Sequence, residues 1–307
     1  MKLGIGDDAA LVEVGRGQQL ILTTDLSIEG VHFLPRLHPA RAVGHRALAR
    51  SLSDIAAMGG APRFALVSLA VARGTGRPWI KEFYIGLLAL ARRFGVAVIG
   101  GDTAVVPERT TIDVILAGEV PGRRALRRSG ARPGDLLFVS GRLGMSALGL
   151  RLLKSGARWA GGDTAEAIQA HLFPEPQCAL GRFLSKCRLA SALIDVSDGL
   201  STDLGHLCEA SHVGARVWAN CVPALEPSGE CTSQDSLDLA LHGGEDYQLL
   251  FTVPPLRVPR LPPRFRAIPL RQIGEIRTSK RLLLVQLDGR EVLLRPAGYD
   301  HFQKLKG

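Results

Sequence analysis

Short aliphatic segments alternate with longer amphipathic segments through the first part of the chain, and this alternation restricts the fold more than any other feature. The aliphatic segments predict strands at Ala9–Val14, Leu20–Asp25, Phe64–Val71, Val96–Ile99 and Thr111–Val120. Between them, Ala40–Met58 and Trp79–Phe94 have helical periodicity, and each segment is followed by glycine. Strands and helices joined by short connections indicate a mixed α/β (α+β) fold.

A turn-rich segment divides the chain into two predicted domains. Residues 121–134 contain Pro-Gly pairs at both ends and a cluster of arginines. A second α/β unit follows, with further predicted helices and strands as far as Val292–Leu294, and Pro254–Pro269 is predicted to be an irregular surface connection. We therefore expect an N-terminal mixed-sheet domain at residues 1–122 and a C-terminal α/β domain at residues 123–307.

Charge and cysteine content limit the partners and the location. The chain starts without a leader pattern, and its apolar segment Phe83–Ala91 is too short to span a bilayer, so we expect a cytoplasmic protein without a membrane partner. Five cysteines without a C-x-x-C pair predict free thiols and no zinc site. The net charge of +9 comes from arginines without interleaved aromatic residues, so no nucleic-acid partner is expected.

Carboxylates recur beside glycine next to predicted strands. They lie in four short segments, which are Gly4–Asp8, Thr23–Asp25, Gly100–Thr103 and Asp195–Gly199. Ligands of open α/β folds bind beyond the carboxyl ends of strands, and several carboxylates in one cleft need cations. Oxygen ligands favour Mg²⁺, and glycine amides approach phosphate closely, so the segments predict a metal and phosphate site. Alternatively, Ser197 or Asp198 caps the next helix, and Asp102 makes a turn.

Asp54 is a carboxylate at the edge of the apolar face of the helix Ala40–Met58. Such a residue is half-buried with a partner or is a ligand, and the alternative is an ion pair with Arg46 or Arg50. The chain has neither a G-x-x-x-x-G-K-[ST] loop nor the glycine-rich loop of protein kinases. A phosphoryl-transfer enzyme with this sequence would therefore rely on metal ions and arginines for positive charge.

Nine motifs, in the same order and over nearly the whole chain, resemble the thiamine-monophosphate kinase family. They are Gly4–Ala10, Thr23–Asp25, Gly30–Phe33, Leu52–Gly59, Gly100–Thr103, Arg128–Ala131, Ile194–Leu200, Gly243–Tyr247 and Gly298–Phe302. This family belongs to the aminoimidazole ribonucleotide synthetase-like ATP-binding superfamily. The resemblance implies an N-terminal domain that forms a homodimer, and a cleft between the domains for ATP, several Mg²⁺ ions and thiamine monophosphate.

The resemblance also implies a role for each matching residue. The implied metal ligands are Asp8, Thr23, Thr24, Asp25, Asp54, Asp102, Asp195 and Asp198, with Asp102 and Asp198 the most critical. The implied ATP contacts are Gly101, Asp102, Arg128 and Ser197, and the implied substrate contacts are His32, Glu245 and Tyr299. The alternatives are that Tyr299 is packed in a core and that His32 packs beside Phe33. Family members carry a helical segment upstream of the first motif that this sequence does not show.

The implied reaction needs neither a protein nucleophile nor a general base. The acceptor is a phosphate monoester, which is mostly ionised at neutral pH because its second pKa is about 6. The obstacle is repulsion between two polyanions, which Mg²⁺ ions would relieve. We therefore expect ATP- and Mg²⁺-dependent phosphorylation of thiamine monophosphate to thiamine diphosphate by direct in-line transfer.

Three related enzymes and one unrelated class are the alternatives. Selenophosphate synthetase needs an N-terminal reactive cysteine, but the first cysteine here is Cys178, and the carbamoyl-dehydrating hydrogenase-maturation relative ends in a cysteine, whereas this chain ends in Gly307. Aminoimidazole ribonucleotide synthetase is the closest alternative, although its ending differs from Gly298–Phe302. The unrelated class is a catalytically silent nucleotide-binding module or a basic nucleic-acid-binding module. Salt-dependent affinity for DNA would support the latter, but the acidic segments oppose it because their carboxylates would repel nucleic acid.

Overall fold

The first sheet contains the N-terminal strands and packs against two long helices. The computed structural model describes residues 7, 10–13, 17–156, 163–225 and 232–299. The strands are β1 (Ala10–Glu13), β2 (Gln18–Ile28), β3 (Ala61–Ala72), β4 (Ala97–Val106) and β5 (Thr111–Pro121), and the helices are α1 (Ala40–Ala57) and α2 (Arg77–Phe94). The strand order is β1-β2-β5-β3-β4, and all pairs are antiparallel except β3 with β4.

The second sheet follows in the chain and is also mixed. Its strands are β6 (Leu136–Ser140), β7 (Ala192–Val196), β8 (Gly214–Trp218), β9 (Gln248–Val253), β10 (Arg264–Phe265), β11 (Ile268–Arg277), β12 (Leu282–Val285) and β13 (Glu291–Leu293). The order is β13-β12-β8-β11-β6-β9-β7, with β10 paired to β11 and only β8 and β12 parallel among these described strands. The helices of this part are α3 (Met145–Lys154), α4 (Asp163–Leu172), α5 (Cys178–Lys186), α6 (Leu200–Ser211) and α7 (Ser233–His242), with 3₁₀ helices at Ala219–Cys221 and Pro255–Arg260.

The predicted α/β class with two mixed sheets is confirmed, and the sheets lie on either side of the predicted boundary. The first sheet ends at Pro121 and the second begins at Leu136. The division at residue 122 remains a prediction. The described cysteines are free thiols, as expected, while Cys231 lies outside the described residues. In the described part of the chain, none of the helices is both long and apolar enough to cross a membrane.

Helix α1 lies between the two sheets and joins their cores. It contacts β2 and β5 of the first sheet, and it contacts α5, β7 and β9 on the other side. One hydrophobic core therefore contains Leu52 of α1 together with Val114 of β5 and Phe251 of β9. A Cβ atom on Gly181 of α5 would lie 2.0 Å from the carbonyl oxygen of Ala56, so α5 can approach α1 closely only with glycine there. Helix α1 is therefore part of the packing of both sheets.

Two glycines allow α1 and α2 to cross at very short distance. A Cβ atom at Gly44 would meet the carbonyl oxygen of Phe83 at 1.9 Å, and one at Gly86 would meet the carbonyl oxygen of Arg41 at 1.9 Å. Close helix packing of this kind depends on the missing side chains, because dense interiors have no room for an added methyl group. The crossing fixes the orientation of α1, which carries several candidate site residues.

Strand β11 was not predicted, and a bulge explains why. Its buried residues Leu270, Ile273 and Ile276 are three apart, which departs from the alternation expected of a strand. The register shifts between Gln272 and Gly274, and such a bulge moves the following side chains to the other face. Helices α4 and α7 were also missed, and the segment predicted as irregular before β11 contains a 3₁₀ helix and β10.

One face of the first sheet is apolar and exposed. We call it the open face, and its exposed apolar residues are Leu22, Leu26, Phe64, Leu66 and Ile115. They form a continuous patch, since Ile115 of β5 pairs with Leu66 of β3 and Leu22 of β2 lies opposite the same β5 residue as Phe64. Contiguous exposed apolar patches of this kind mark interaction surfaces.

Candidate active site

The side of β2 that faces α1 brings the first predicted metal ligands together. The hydroxyl group of Thr23 donates a hydrogen bond to the carboxylate of Asp54 on α1. Ser51 Oγ donates to Asp25 Oδ2 at 2.9 Å and lies one turn earlier on the same helix. Thr23 and Asp25 are two apart, so the alternation of the strand places both on the helix side.

Thr24 lies on the opposite face of β2. Its hydroxyl group donates to Asp113 Oδ1 of β5 at 2.5 Å, on the open-face side of the sheet. Of the three consecutive predicted ligands, the structure thus brings Thr23 and Asp25 to α1 and directs the Thr24 side chain away from it. A change of strand register by one residue would have reversed this arrangement.

A second contact of α1 brings in an aspartate from the other sheet. Ser53 Oγ donates to Asp195 Oδ2 at 2.6 Å, and Asp195, at the end of β7, is 3% exposed. Ser51 and Ser53 thus hold carboxylates of different sheets on one stretch of helix. Asp25 and Asp54 therefore meet on the β2 side of α1, and Asp195 reaches the same helix from the other sheet. A metal site shared by all three remains a prediction.

The electrostatics of this cluster favour an additional cation. Burial raises the pKa of Asp25, and the nearby Asp113 adds to the effect, while Arg50 and Ser51 oppose it. The donors are carboxylate and hydroxyl oxygens, the set that hard divalent cations prefer. Within residues 17–156, 163–225 and 232–299, however, no three acidic, His or Cys side chains already enclose a metal site. Asp8 lies outside the described residues.

The loop between β7 and α6 is held by a residue that sequence reasoning missed. The backbone amides of Ser197, Asp198 and Gly199 donate to Asp203 Oδ2 at 3.0, 3.1 and 3.0 Å. The N-cap residue of helix α6 is Gly199, so neither Ser197 nor Asp198 occupies the cap position. The alternative interpretation of these two residues as helix caps is therefore wrong, because buried Asp203 binds the loop amides instead.

The last described residues pack against this loop. The amide of Tyr299 donates to the carbonyl oxygen of Asp198 at 3.1 Å, and the amide of Gly298 donates to Thr202 Oγ1 at 3.1 Å. A Cβ atom on Gly298 would lie 2.0 Å from the Asp198 carbonyl, so this approach requires glycine. Tyr299 is 51% exposed, which contradicts the alternative of a core tyrosine. A predicted substrate contact therefore lies beside a predicted metal ligand.

Glu245 has a strained backbone and a buried partner. Its φ of 66° lies in the left-handed region, which non-glycine residues rarely adopt. Its Oε1 lies 2.6 Å from Nη2 of Arg46, whose side chain is 5% exposed, and its amide donates to Ser197 O at 2.7 Å. Burial would raise the pKa of Glu245, but Arg46, His171 and Arg50 together lower it to about 2. Glu245 is therefore an anion in a fixed position.

His32 lies in the turn after β2. Its Nδ1 accepts a hydrogen bond from the amide of Ile28 at 3.0 Å, which stabilises the turn. With Arg46 and Arg50 of α1 it lines a small recess, which is completed by Ser27, Phe33 and Val43. Burial acts to lower the pKa of Arg50, yet the neighbouring Tyr247, Asp25, Glu245 and Asp54 raise it, so Arg50 stays charged.

The predicted nucleotide contacts lie on other elements. Gly101 and Asp102 are on the exposed edge strand β4, where a Cβ atom at Gly101 would lie 1.9 Å from Val67 O. Asp102 Oδ1 accepts a hydrogen bond from the amide of Thr103 at 2.8 Å, and both residues lie within β4, so the alternative of a turn at Asp102 is wrong. The amide of Arg128 donates to Asp7 Oδ2 at 3.1 Å, a neighbour of the predicted Asp8. The described contacts do not join Asp102 or Arg128 to the cluster around α1.

Several participating residues were missed as site residues or entered only as alternatives. Arg46 and Arg50 were named solely as ion-pair partners for Asp54, yet the structure pairs them with Glu245 and Asp25. The sequence did contain a pattern that could have identified them, since Arg46, Arg50 and Asp54 are spaced four residues apart and lie on one face of the helix. Ser51, Ser53 and Asp203 gave no comparable signal, because buried serines and helix aspartates are common.

Two mixed sheets packed on a central helix, with acidic residues of both sheets bonded to that helix, define an α/β protein with a polar site beside α1. The family model described as "AIR synthase related protein, N-terminal domain" matches residues 6–122. Similarity to individual proteins extends over the whole chain. Thiamine-monophosphate kinase of Salmonella typhimurium is 39% identical over 98% of this chain and 92% of its own length. That of Bacillus subtilis is 36% identical over 98% of this chain and 94% of its own.

A solved structure agrees with these relatives. The structure described as "AaThiL complexed with AMPPCP and TMP" has a TM-score of 0.84 and 35% sequence identity, covering 98% of this chain and 93% of its own. The chain belongs to the thiamine-monophosphate kinase family.

Proposed function

We propose that this chain transfers the γ-phosphoryl group of ATP to the phosphate of thiamine monophosphate and so forms thiamine diphosphate. The observation that carries the proposal is the full-length similarity to thiamine-monophosphate kinases, one of which was solved with an ATP analogue and TMP. The arrangement of acidic residues from both sheets around α1 supports it, since phosphoryl transfer between two anions needs such a site. The relatives named here favour this reaction over that of aminoimidazole ribonucleotide synthetase.

The residues present suit Mg²⁺ ions as cofactors. The described cluster would supply Thr23, Asp25, Asp54 and Asp195, and the remaining proposed ligands are Asp8, Thr24, Asp102 and Asp198. When bound, such ions would neutralise the phosphates of both substrates and supply Lewis-acid stabilisation of the charge that develops during transfer. Ser51 and Ser53 orient two of the carboxylates toward that role by their hydrogen bonds.

The other proposed site residues bind and orient the substrates. Gly101, Asp102, Arg128 and Ser197 are the proposed ATP contacts, and His32, Glu245 and Tyr299 are the proposed thiamine monophosphate contacts. Tyr299 is exposed beside the Asp198 loop, where its ring is accessible to a heterocycle for stacking. The acceptor phosphate is ionised at neutral pH, so the chain needs no general base.

We further propose a homodimer formed through the open face of the first sheet. Its five apolar residues are exposed in the single chain and continuous across three strands. A second copy would cover this patch by a two-fold contact, the commonest arrangement of soluble homo-oligomers. The cytoplasmic location remains a prediction from the sequence.

The direct test is product formation. The full chain is incubated with ATP, MgCl₂ and thiamine monophosphate, and thiamine diphosphate is quantified by fluorescence chromatography after oxidation. We expect product that disappears when EDTA exceeds the metal. Absence of thiamine diphosphate from a folded protein that binds ATP would contradict the proposed reaction, and full activity in excess EDTA would contradict the metal requirement.

A further inference from the structure

Arg50 lies between the predicted metal ligands and the predicted substrate contacts. Its Nε is 3.7 Å from Asp25 Oδ1, and its side chain is 18% exposed. On its other side it lines the recess that also contains His32. None of the roles assigned above includes this guanidinium group, although it faces both halves of the proposed site.

The two arginines of this recess differ in how far the protein already engages them. Arg46 is already engaged at both terminal nitrogens, because its guanidinium donates to Glu245 at 2.6 Å and to the carbonyl oxygen of His171. Arg50 has the long ion pair with Asp25, and within the described part of the chain its guanidinium donates no hydrogen bond. Arg46 is therefore a fixed structural cation, whereas the N–H groups of Arg50 are available to a ligand at the recess.

We infer that Arg50 binds the phosphate group of thiamine monophosphate. The inference rests on the proposed function and specifies which residue recognises the acceptor's anionic end. In that reaction the acceptor phosphate lies between the ring contacts and the metal ligands, and Arg50 lines the His32 recess while pairing with Asp25. A guanidinium fork donates two parallel hydrogen bonds to a phosphate, and it does so without losing its charge.

This assignment adds a permanent positive charge for the acceptor phosphate to the charges proposed above, which are the Mg²⁺ ions and Arg128. The sequence has no phosphate-binding loop with a lysine, so arginine is the remaining side chain for permanent charge. One well-placed guanidinium offsets much of the repulsion between the two phosphates, because its attraction to each of them acts over the same short distance. Arginines act in this way in other phosphoryl-transfer enzymes.

The competing explanation is purely structural, with Arg50 serving to neutralise Asp25 inside the protein. Both explanations predict damage on mutation, so activity alone does not separate them. They differ in ligand dependence, because a phosphate-binding arginine distinguishes thiamine monophosphate from thiamine, which lacks the phosphate. A structural arginine affects both ligands equally.

The test compares the affinities of the full chain for thiamine monophosphate and for thiamine by calorimetry in MgCl₂ without ATP. Arg50→Met should weaken thiamine monophosphate binding about 10- to 100-fold, the range for losing a charged hydrogen-bond partner, and change thiamine binding less than about twofold. Arg50→Lys keeps the charge without the fork and should lie between wild type and Arg50→Met. Arg41→Met is the matched control, since Arg41 is an exposed arginine on the same helix and pairs with Glu82.

Equal loss of both ligands, or unchanged affinity for thiamine monophosphate, would overturn the assignment. If Arg50→Met does not fold, the same affinities are measured for Arg50→Lys. A preference for thiamine monophosphate over thiamine equal to that of the wild type would then refute two parallel hydrogen bonds from Arg50 to the phosphate. A wild-type protein that forms no thiamine diphosphate would contradict the proposed function, and with it this inference. If the wild type forms thiamine diphosphate but Arg50→Met still prefers thiamine monophosphate to thiamine as strongly as the wild type does, the inference is refuted and the proposed function is not.

Discussion

Replacing Arg46 by methionine should destabilise the protein strongly, because it removes the partner of an anion that cannot move away. Glu245 is held by a left-handed backbone and by its amide hydrogen bond to Ser197, so its carboxylate cannot follow a new partner. Arg46 itself is 5% exposed and also donates to the carbonyl oxygen of His171. Methionine has a similar volume and preserves the packing of the stem while removing the charge and the donors.

The magnitude follows from the pKa of Glu245. Its pKa falls from 4.5 to about 2 in the folded chain, and at 1.36 kcal/mol per unit this is a net stabilisation of about 3 kcal/mol. Arg46 is the largest of the contributions that lower the pKa, and breaking a buried ion pair costs about 3–5 kcal/mol. We therefore expect the free energy of unfolding at pH 7 to fall by about 2–4 kcal/mol, after allowing for the remaining charge of Arg50.

The pH dependence gives an independent check with a defined sign. A carboxylate whose pKa is depressed on folding contributes stability that is present above the unfolded pKa of 4.5 and is lost as the pH falls toward about 2. The stability difference between wild type and Glu245→Gln should therefore shrink between pH 4.5 and the lowest pH at which both fold. In the Arg46→Met background, this pH-dependent difference should largely vanish.

The assay is urea denaturation followed by circular dichroism, with Arg41→Met as the control. Arg41 and Glu82 form an exposed ion pair, with side chains 55% and 46% exposed, so that substitution should cost less than about 1 kcal/mol. A loss below about 1 kcal/mol for Arg46→Met, or equal losses for both variants, would refute the reasoning that Arg46 and Glu245 form a coupled buried pair.

Three further predictions concern the proposed function. Asp102→Asn should lower kcat by about 10² or more if Asp102 stabilises charge in the transition state, and a kcat within about threefold of wild type would contradict that role. Tyr299→Ala should raise KM for thiamine monophosphate about 5- to 150-fold, with KM for ATP and the melting temperature unchanged, because the ring is half-exposed. A lower melting temperature with normal KM would instead mean a packing role. Leu26→Asp on the open face should shift the mass measured by light scattering from dimer to monomer, whereas Arg73→Asp, outside that patch, should not, and a wild-type monomer would contradict the dimer.

Local signals in the sequence were sufficient for the two long helices of the first sheet. Helices α1 and α2 were predicted within two residues at each end, because apolar periodicity and the following glycines are properties of neighbouring residues. The carboxylates beside glycine also predicted a polar site, since several carboxylates close together need cations to neutralise them. Strand β11 escaped prediction because a bulge gave it a spacing that no local rule assigns to a strand.

Only the tertiary structure decided which of these residues meet. Thr23 reaches Asp54 while Thr24 turns away, and one step of strand register separates the two outcomes. Arg46 bonds Glu245 across 199 residues of sequence, and Ser53 bonds Asp195 across 142, so neither pair follows from local spacing. The sequence determined which side chains carry charge and predicted most of the strands and helices, although not β11, α4 or α7. The partner of each charge was decided by packing both sheets on α1, because contacts between distant segments depend on the whole folded arrangement.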